Sequence, residues 1–186
     1  MKNNDLSRFL ALDCATTNTG FALFHNEVPV KYGKLHFDGH AEYDKVISAA
    51  QTMYAFVKEF PVSTIVIESS FFGTNPKVAT NLALSQGAAL AGASLAGVTH
   101  IGSVVPSQWQ RGIGNALLTR EEKAAIMKEL PKKSASWYKT FGRTLRKTRT
   151  VDIVNDRFDL AVGDYDVADA VGIGLYVSIN PEGVSW

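Results

Sequence analysis

Two short apolar runs, FLALD at 9–13 and TIVIE at 64–68, each end in an acid. A buried strand that closes on a carboxylate is costly unless the charge is paired or meets a cation. A chain that does this twice is pushed towards a sheet whose strand ends share one polar site. In open α/β sheets, such sites form beyond the carboxyl ends of the strands. A second acid pair, Asp166 and Asp169, stands three residues apart at the head of a helical stretch, so both project from one face. The residues around and after Asp169, VADAVGIGLY, are small or apolar, so this helix is expected to pack on the core and hold its acids rigidly.

The pattern between these acids predicts the elements. Residues 9–13 read as a buried strand, ATTNTG at 15–20 as a turn, and 21–24 and 28–37 as two further strands joined at His25-Asn26. Tyr43, Val46, Ile47, Ala50, Met53, Tyr54 and Val57 recur at spacings of three and four, which marks an amphipathic helix over 41–60. A β-branched strand at 64–67 follows, then the loop SSFFGTNP, a small-residue helix over 77–96 and a strand over 99–105 stopped by Pro106. Beyond it, 107–111 is a short helix, and Thr119 with Glu122 forms a capping box opening a helix through Leu130. Residues 144–160 and 167–179 are the last two helices. Antiparallel strands first, then alternation with helices, predict an α/β fold: a mixed five-stranded sheet with helices on both faces. The 186 residues are read as one domain, 1–186, carrying a basic insertion at about 115–150.

Composition narrows the setting. Hydrophobic residues at 46% and charged residues at 20% suit a soluble globule with a substantial core. Cys14 is the one cysteine, which excludes an intrachain disulfide and a Cys-x-x-Cys zinc site. It is expected on the opposite face of its strand from Asp13, as a small core residue. The four histidines are scattered and none has a ligand spacing. The start MKNNDLSRFLAL lacks the apolar centre of a signal peptide, and the Gly- and Ala-rich stretch near 82–98 reads as a buried helix rather than a membrane span. A soluble, cytoplasmic protein without membrane contact is expected.

Four carboxylates on rigid elements suit hard, oxygen-seeking Mg²⁺ or Mn²⁺. Two such ions about 4 Å apart can activate a water and stabilise a leaving oxygen in phosphodiester cleavage. Taken singly, each acid has a plainer reading: Asp13 as a turn residue, Asp166 and Asp169 as helix N-terminal acids favoured by the macrodipole. Glu68 is least easily explained so, and the four together point to one site. The net charge is only +1, but residues 131–150 hold Lys132, Lys133, Lys139, Arg143, Arg146, Lys147 and Arg149 with no acid. Trp137, Tyr138 and Phe141 are interleaved with them. Cations among aromatics suit phosphate contact combined with base or sugar packing; a solvated helix face whose aromatics reach the core is the other reading. Arg111 and Lys77 extend this patch.

The segments FLALDCATTNTGFALF, TIVIESSFF, LALSQGAAL, GIG and DYDVADAVGIGLY together resemble the RuvC family of Holliday-junction resolvases, in its phage-like branch, over nearly the whole chain. The resemblance implies a ribonuclease-H-like fold, a homodimer, four-way junctions and other branched DNA as substrate, and two Mg²⁺ ions per site with Mn²⁺ as a substitute. It implies that Asp13, Glu68, Asp166 and Asp169 are the catalytic, metal-holding acids. It gives Phe71, three residues after Glu68, the role of entering the junction, with Phe72 anchoring the loop, and makes 82–95 the dimer helix. A phage-encoded protein would work in the host cytoplasm. The sequence departs from the family where Ala15-Thr16-Thr17 replaces a Gly-Ser pair, and in the length of the segment between Gly114 and about Leu145. The basic residue near the scissile phosphate is then Lys123 or Lys147. Other readings are a ribonuclease-H-fold nuclease acting on RNA or DNA, a non-catalytic branched-DNA-binding module, and an actin-like kinase fragment. The kinase reading needs two such domains and far more chain, and four acids argue against loss of the chemistry.

Overall fold

The computed structural model describes residues 6–69 and 75–186. Its central strand is β1, Arg8–Cys14, which is apolar on both sides because both sides are covered. Phe9 and Ala11 enter one core cluster, Leu10 and Leu12 the other. The two-residue period of a strand makes that division. β2, Asn18–His25, and β3, Val28–His36, follow as antiparallel neighbours. Asn26 and Glu27, both at positive φ, form the tight turn between them. β4, Thr64–Glu68, pairs in parallel with the other edge of β1, and β5, His100–Val104, pairs in parallel with β4. The sheet order is β3-β2-β1-β4-β5, the mixed five-stranded sheet that the sequence predicts.

One face is covered by α1, Glu42–Glu59, and α2, Pro76–Ala96. These two helices approach closely at Gly92, where a Cβ would lie 2.1 Å from the Ala50 carbonyl oxygen. The other face carries α6, Tyr165–Ile179, with α3, Pro106–Gly112, and α5, Ala135–Phe158, packed against it. Within α6, ten residues from Val167 to Val177 are buried, which matches a sequence there that is almost wholly small or apolar. α4, Arg120–Glu129, precedes α5 and buries no residue. A 3₁₀ turn at Pro181–Gly183 leads to Ser185, which bridges to Ser103 of β5. Among the described residues, no helix is long and apolar enough to cross a membrane.

Three of the boundaries that differ from the sequence reading have a plain cause. The turn after β1 is shorter than ATTNTG, because Asn18, Thr19 and Gly20 already pair with β1 and β3. The fifth strand ends at Val104, since Val105 is the N-cap of α3. The helix expected from 144 begins at Ala135: Ser134 caps it by accepting from the Trp137 amide at 3.1 Å, and Gly142 does not interrupt it. The basic residues from Lys139 to Arg149 therefore all lie on one 24-residue helix.

Candidate active site

Asp13 continues the series Phe9, Ala11, and so faces α6, whereas Cys14 packs with the opposite cluster. Glu68 closes the parallel neighbour β4 at the same end of the sheet. α6 begins beside them. Its N-cap is Asp164, which accepts from the amides of Asp166 and Val167 at 2.9 and 3.1 Å, placing Asp166 in the first turn and Asp169 one turn on.

Gly20 decides how close α6 comes. It pairs with Asp13 across β1 and β2, and a Cβ there would lie 2.2 Å from the Asp166 carbonyl oxygen. With no side chain in the way, the first turn of α6 rests on the strand directly beside Asp13. The next position in this row is Lys34 of β3. Its ammonium bonds Asp164 at 2.7 Å and Asp166 at 2.8 Å. Burial works against that charge, but the two carboxylates more than offset it and raise the Lys34 pKa.

The electrostatics show that the four acids share one field. Burial pushes the Asp13 carboxyl well above the usual range, and repulsion from Asp169, Glu68 and Asp166 pushes it further. Asp169 is pushed up to about 6, mainly by burial, with Lys147 pulling against it and Glu68 and Asp166 adding to it. Glu68 is raised by burial, against the pull of a hydrogen bond from the Trp109 indole and the charge of Lys147. That bond is short, 2.6 Å from Nε1 to Oε2, and Trp109 is fully buried. Lys147 of α5 reaches in from the basic face, 3.7 Å from Asp166 and 3.9 Å from Asp169. Burial drives the Cys14 thiol up to about 12, so it is inert there.

Among the described residues, no three such side chains are arranged to enclose an ion as they stand. The donor chemistry nevertheless fits a divalent cation. Four hard oxygen donors on rigid elements repel one another, and two lysine ammoniums only partly offset them.

The other expected site residues are distributed as follows. Arg143, Arg146 and Lys147 line a recess of about 210 Å³ with Gln110, Thr150 and Asp169, joining the basic helix to the acids. Arg146 donates to the Gln110 side chain and the Asn115 carbonyl, and Arg149 pairs with Glu122, so these two guanidiniums tie α5 to its neighbours. Lys123 is exposed on α4, Arg111 on the last turn of α3, and Lys77 on the first turn of α2. Lys132 is exposed at the turn before α5, and Lys133 lies 5.5 Å over the Trp137 ring. Trp137 stacks on Phe141 rather than entering either core cluster. Phe71 and Phe72 lie outside the described residues. Sequence reasoning missed Lys34 and Trp109. Counting outward from the His25–Val28 pair would set Gly20 opposite Gly33; a bulge between Leu23 and Phe24 brings Lys34 there instead. The signal for Trp109 was a lone aromatic in the polar run SQWQR.

No protein-family model matches the chain, and no curated protein matches it in sequence. Solved structures do match. RuvC of Thermus thermophilus superposes with a TM-score of 0.66 at 15% identity, over 96% of this chain and 98% of that one. This chain has the RuvC fold. RuvC of the same organism in complex with a Holliday junction substrate gives 0.65 at 15% identity over the same shares. The yeast mitochondrial Holliday junction resolvase Ydc2 gives 0.51 at 12% identity, over 93% of this chain and 79% of that one. The RuvC fold thus extends over nearly the whole chain and includes the strands and helix that carry the four acids.

Proposed function

We propose that this chain is a divalent-metal-dependent endonuclease that resolves four-way DNA junctions, acting as a homodimer that nicks two opposing strands. The observation that carries the reading is the joining of four acids, from the ends of two parallel strands and the first turns of α6, at one end of the central sheet of a RuvC fold. One matching structure holds a Holliday junction substrate, which makes branched DNA the substrate class to test.

Asp13, Glu68, Asp166 and Asp169 are the residues that would hold Mg²⁺, or Mn²⁺ in its place. Ions held there would supply an activated water and charge stabilisation at the leaving oxygen. The chain's own residues prepare the site. Trp109 fixes the Glu68 carboxylate, Lys34 fixes the first turn of α6, and Gly20 lets that turn sit beside Asp13. Lys147, already between Asp166 and Asp169, is the basic residue best placed to meet a phosphate. Arg143, Lys123, Lys132 and Lys133, with Lys77 and Arg111, form the DNA-facing surface, while Arg146 and Arg149 hold it in shape. On this reading residues 115–150 are a basic appendage to a single nuclease domain working in the cytoplasm.

The outward face of α2 supports the dimer. Gly87 has nothing within 4 Å of its Cβ position, Leu84 and Leu95 are exposed, and Tyr43 and Ile47 are exposed on the adjoining α1. Small residues permit close two-fold packing of such a face.

The test is a panel of end-labelled substrates, four-way, three-way, linear duplex and RNA–DNA hybrid, incubated with and without Mg²⁺. Paired, ligatable nicks confined to branched DNA and dependent on metal are expected. Preferential cleavage of the hybrid would replace the proposal with a ribonuclease-H-type activity, and junction binding without cleavage in any metal would leave a binding module.

A further inference from the structure

α4 contributes no buried residue and is held to α5 by the Arg149–Glu122 ion pair, which leaves a hollow of about 380 Å³ between the two helices. Leu117, Leu118, Ile126 and Met127 form its floor, with Leu117 and Met127 more than half exposed. Tyr138 supplies an aromatic wall, and its hydroxyl donates to the Leu130 carbonyl at 2.6 Å, which fixes the ring. A concave hollow of this size, lined mainly by apolar and aromatic side chains with a few polar groups at its margin, has the form of a ligand site. The rim is cationic, with Lys123, Lys139 and Arg143 beside the engaged Arg146, and among the described residues no acid lines the hollow. Such a site fits a ligand with one flat apolar part and one anionic part. Arg143 and Arg146 also line the recess that holds Lys147 and Asp169, so the hollow and the acidic site share a wall.

We propose that this hollow receives one unpaired base of a DNA strand, laid against Tyr138, with the neighbouring phosphates on Lys123, Lys139 and Arg143. The inference rests on the reading of the chain as a branched-DNA nuclease, because opening the branch point, where stacking is already interrupted, unpairs bases close to the cut. Bases stacked inside an intact duplex cannot expose a face to the ring, so the hollow favours opened DNA over linear duplex. Base stacking on a fixed aromatic is tolerant of sequence, and the cations add the salt dependence of phosphate contact.

The test uses the full chain without divalent metal, with its Ile, Leu and Met methyl groups followed by NMR. A 5′-phosphorylated pentathymidylate is titrated in, and decanoate serves as an apolar anion without a base. The methyls of Leu118, Ile126 and Met127 are expected to shift to saturation with the oligonucleotide and much less with decanoate. Met127→Trp, which fills the hollow, is expected to weaken pentathymidylate binding at least fivefold, and Tyr138→Leu similarly, whereas Tyr138→Phe keeps the ring and most of the affinity. Silent methyls in the wild type, equal shifts with decanoate, or unchanged affinity in Met127→Trp would overturn the proposal. Because no cleavage is measured, a protein that binds the oligonucleotide here but never cuts junctions refutes only the nuclease reading. A junction nuclease whose methyls stay silent refutes only this one.

Discussion

Between about pH 4 and pH 6 the folded chain holds a proton on Asp169 that the unfolded chain releases, because its pKa rises from 3.8 to about 6. An acid raised in this way favours folding at low pH, and its contribution falls as pH rises through that window. Above it, the metal-free fold carries a destabilisation on the order of 2–3 kcal/mol from this one group. Asp169→Asn is therefore expected to melt several degrees higher than the wild type at pH 7.5 without metal. The two should converge near pH 4, and Mg²⁺ should raise the melting temperature of the wild type more than that of the variant. Equal melting temperatures at both pH values would show that Asp169 is solvated and bears no such load. Glu68 is the complementary case, since its oxygen accepts from a fully buried indole. Trp109→Phe removes a hydrogen bond to a charged acceptor, worth about 1.5–3 kcal/mol. Calorimetry should show that loss, and the Mg²⁺ concentration for half-maximal cleavage should rise several-fold while the variant still binds junctions. An unchanged metal dependence would make Trp109 a core residue only.

Secondary elements meet at Gly20, where β2, opposite Asp13, passes under the first turn of α6. A methyl group there meets backbone rather than a yielding side chain, so Gly20→Ala must push the strand and helix apart. Overpacking of this kind costs about 1–3 kcal/mol. Cleavage is expected to fall by well over tenfold, with a lower melting temperature; wild-type cleavage and melting temperature in Gly20→Ala would show that α6 does not depend on this close approach. The strands and the buried α6 were legible from apolar runs, because short, β-branched-rich segments such as TIVIE, buried on both faces, read as central strands. The thrift of Gly20 was not, since ATTNTG has the composition of a turn and only the approach of α6 shows why the glycine is there. Lys34 was hidden by a bulge that no local pattern announces, and the start of α5 by the serines at 134 and 136 and the glycine at 142, whose composition is that of a loop. The basic segment was legible as charge but not as parts: Lys147 reaches the acids, while Arg146 and Arg149 are spent on holding helices.

For the whole molecule, the proposal needs two acidic sites held at a fixed separation, which one chain does not supply. The exposed stripe on α1 and α2 is the surface available for that purpose. Light scattering at the concentrations where junctions are cut is expected to give twice the 20.2 kDa chain mass. Replacing Gly87 by Arg should yield monomers that nick one strand, and a wild-type monomer of full activity would count against paired cleavage. The central claim, that four acids from three elements form one metal-dependent cutting site, is tested most directly by four single variants, Asp13→Asn, Glu68→Gln, Asp166→Asn and Asp169→Asn. Each is assayed for junction binding without metal and for junction cleavage with Mg²⁺. The account predicts that every variant binds at least as tightly as the wild type, since a carboxylate near phosphates is repulsive, and that each loses cleavage by about 10³-fold or more, a barrier increase of about 4 kcal/mol. Full cleavage by any two of the four would contradict it.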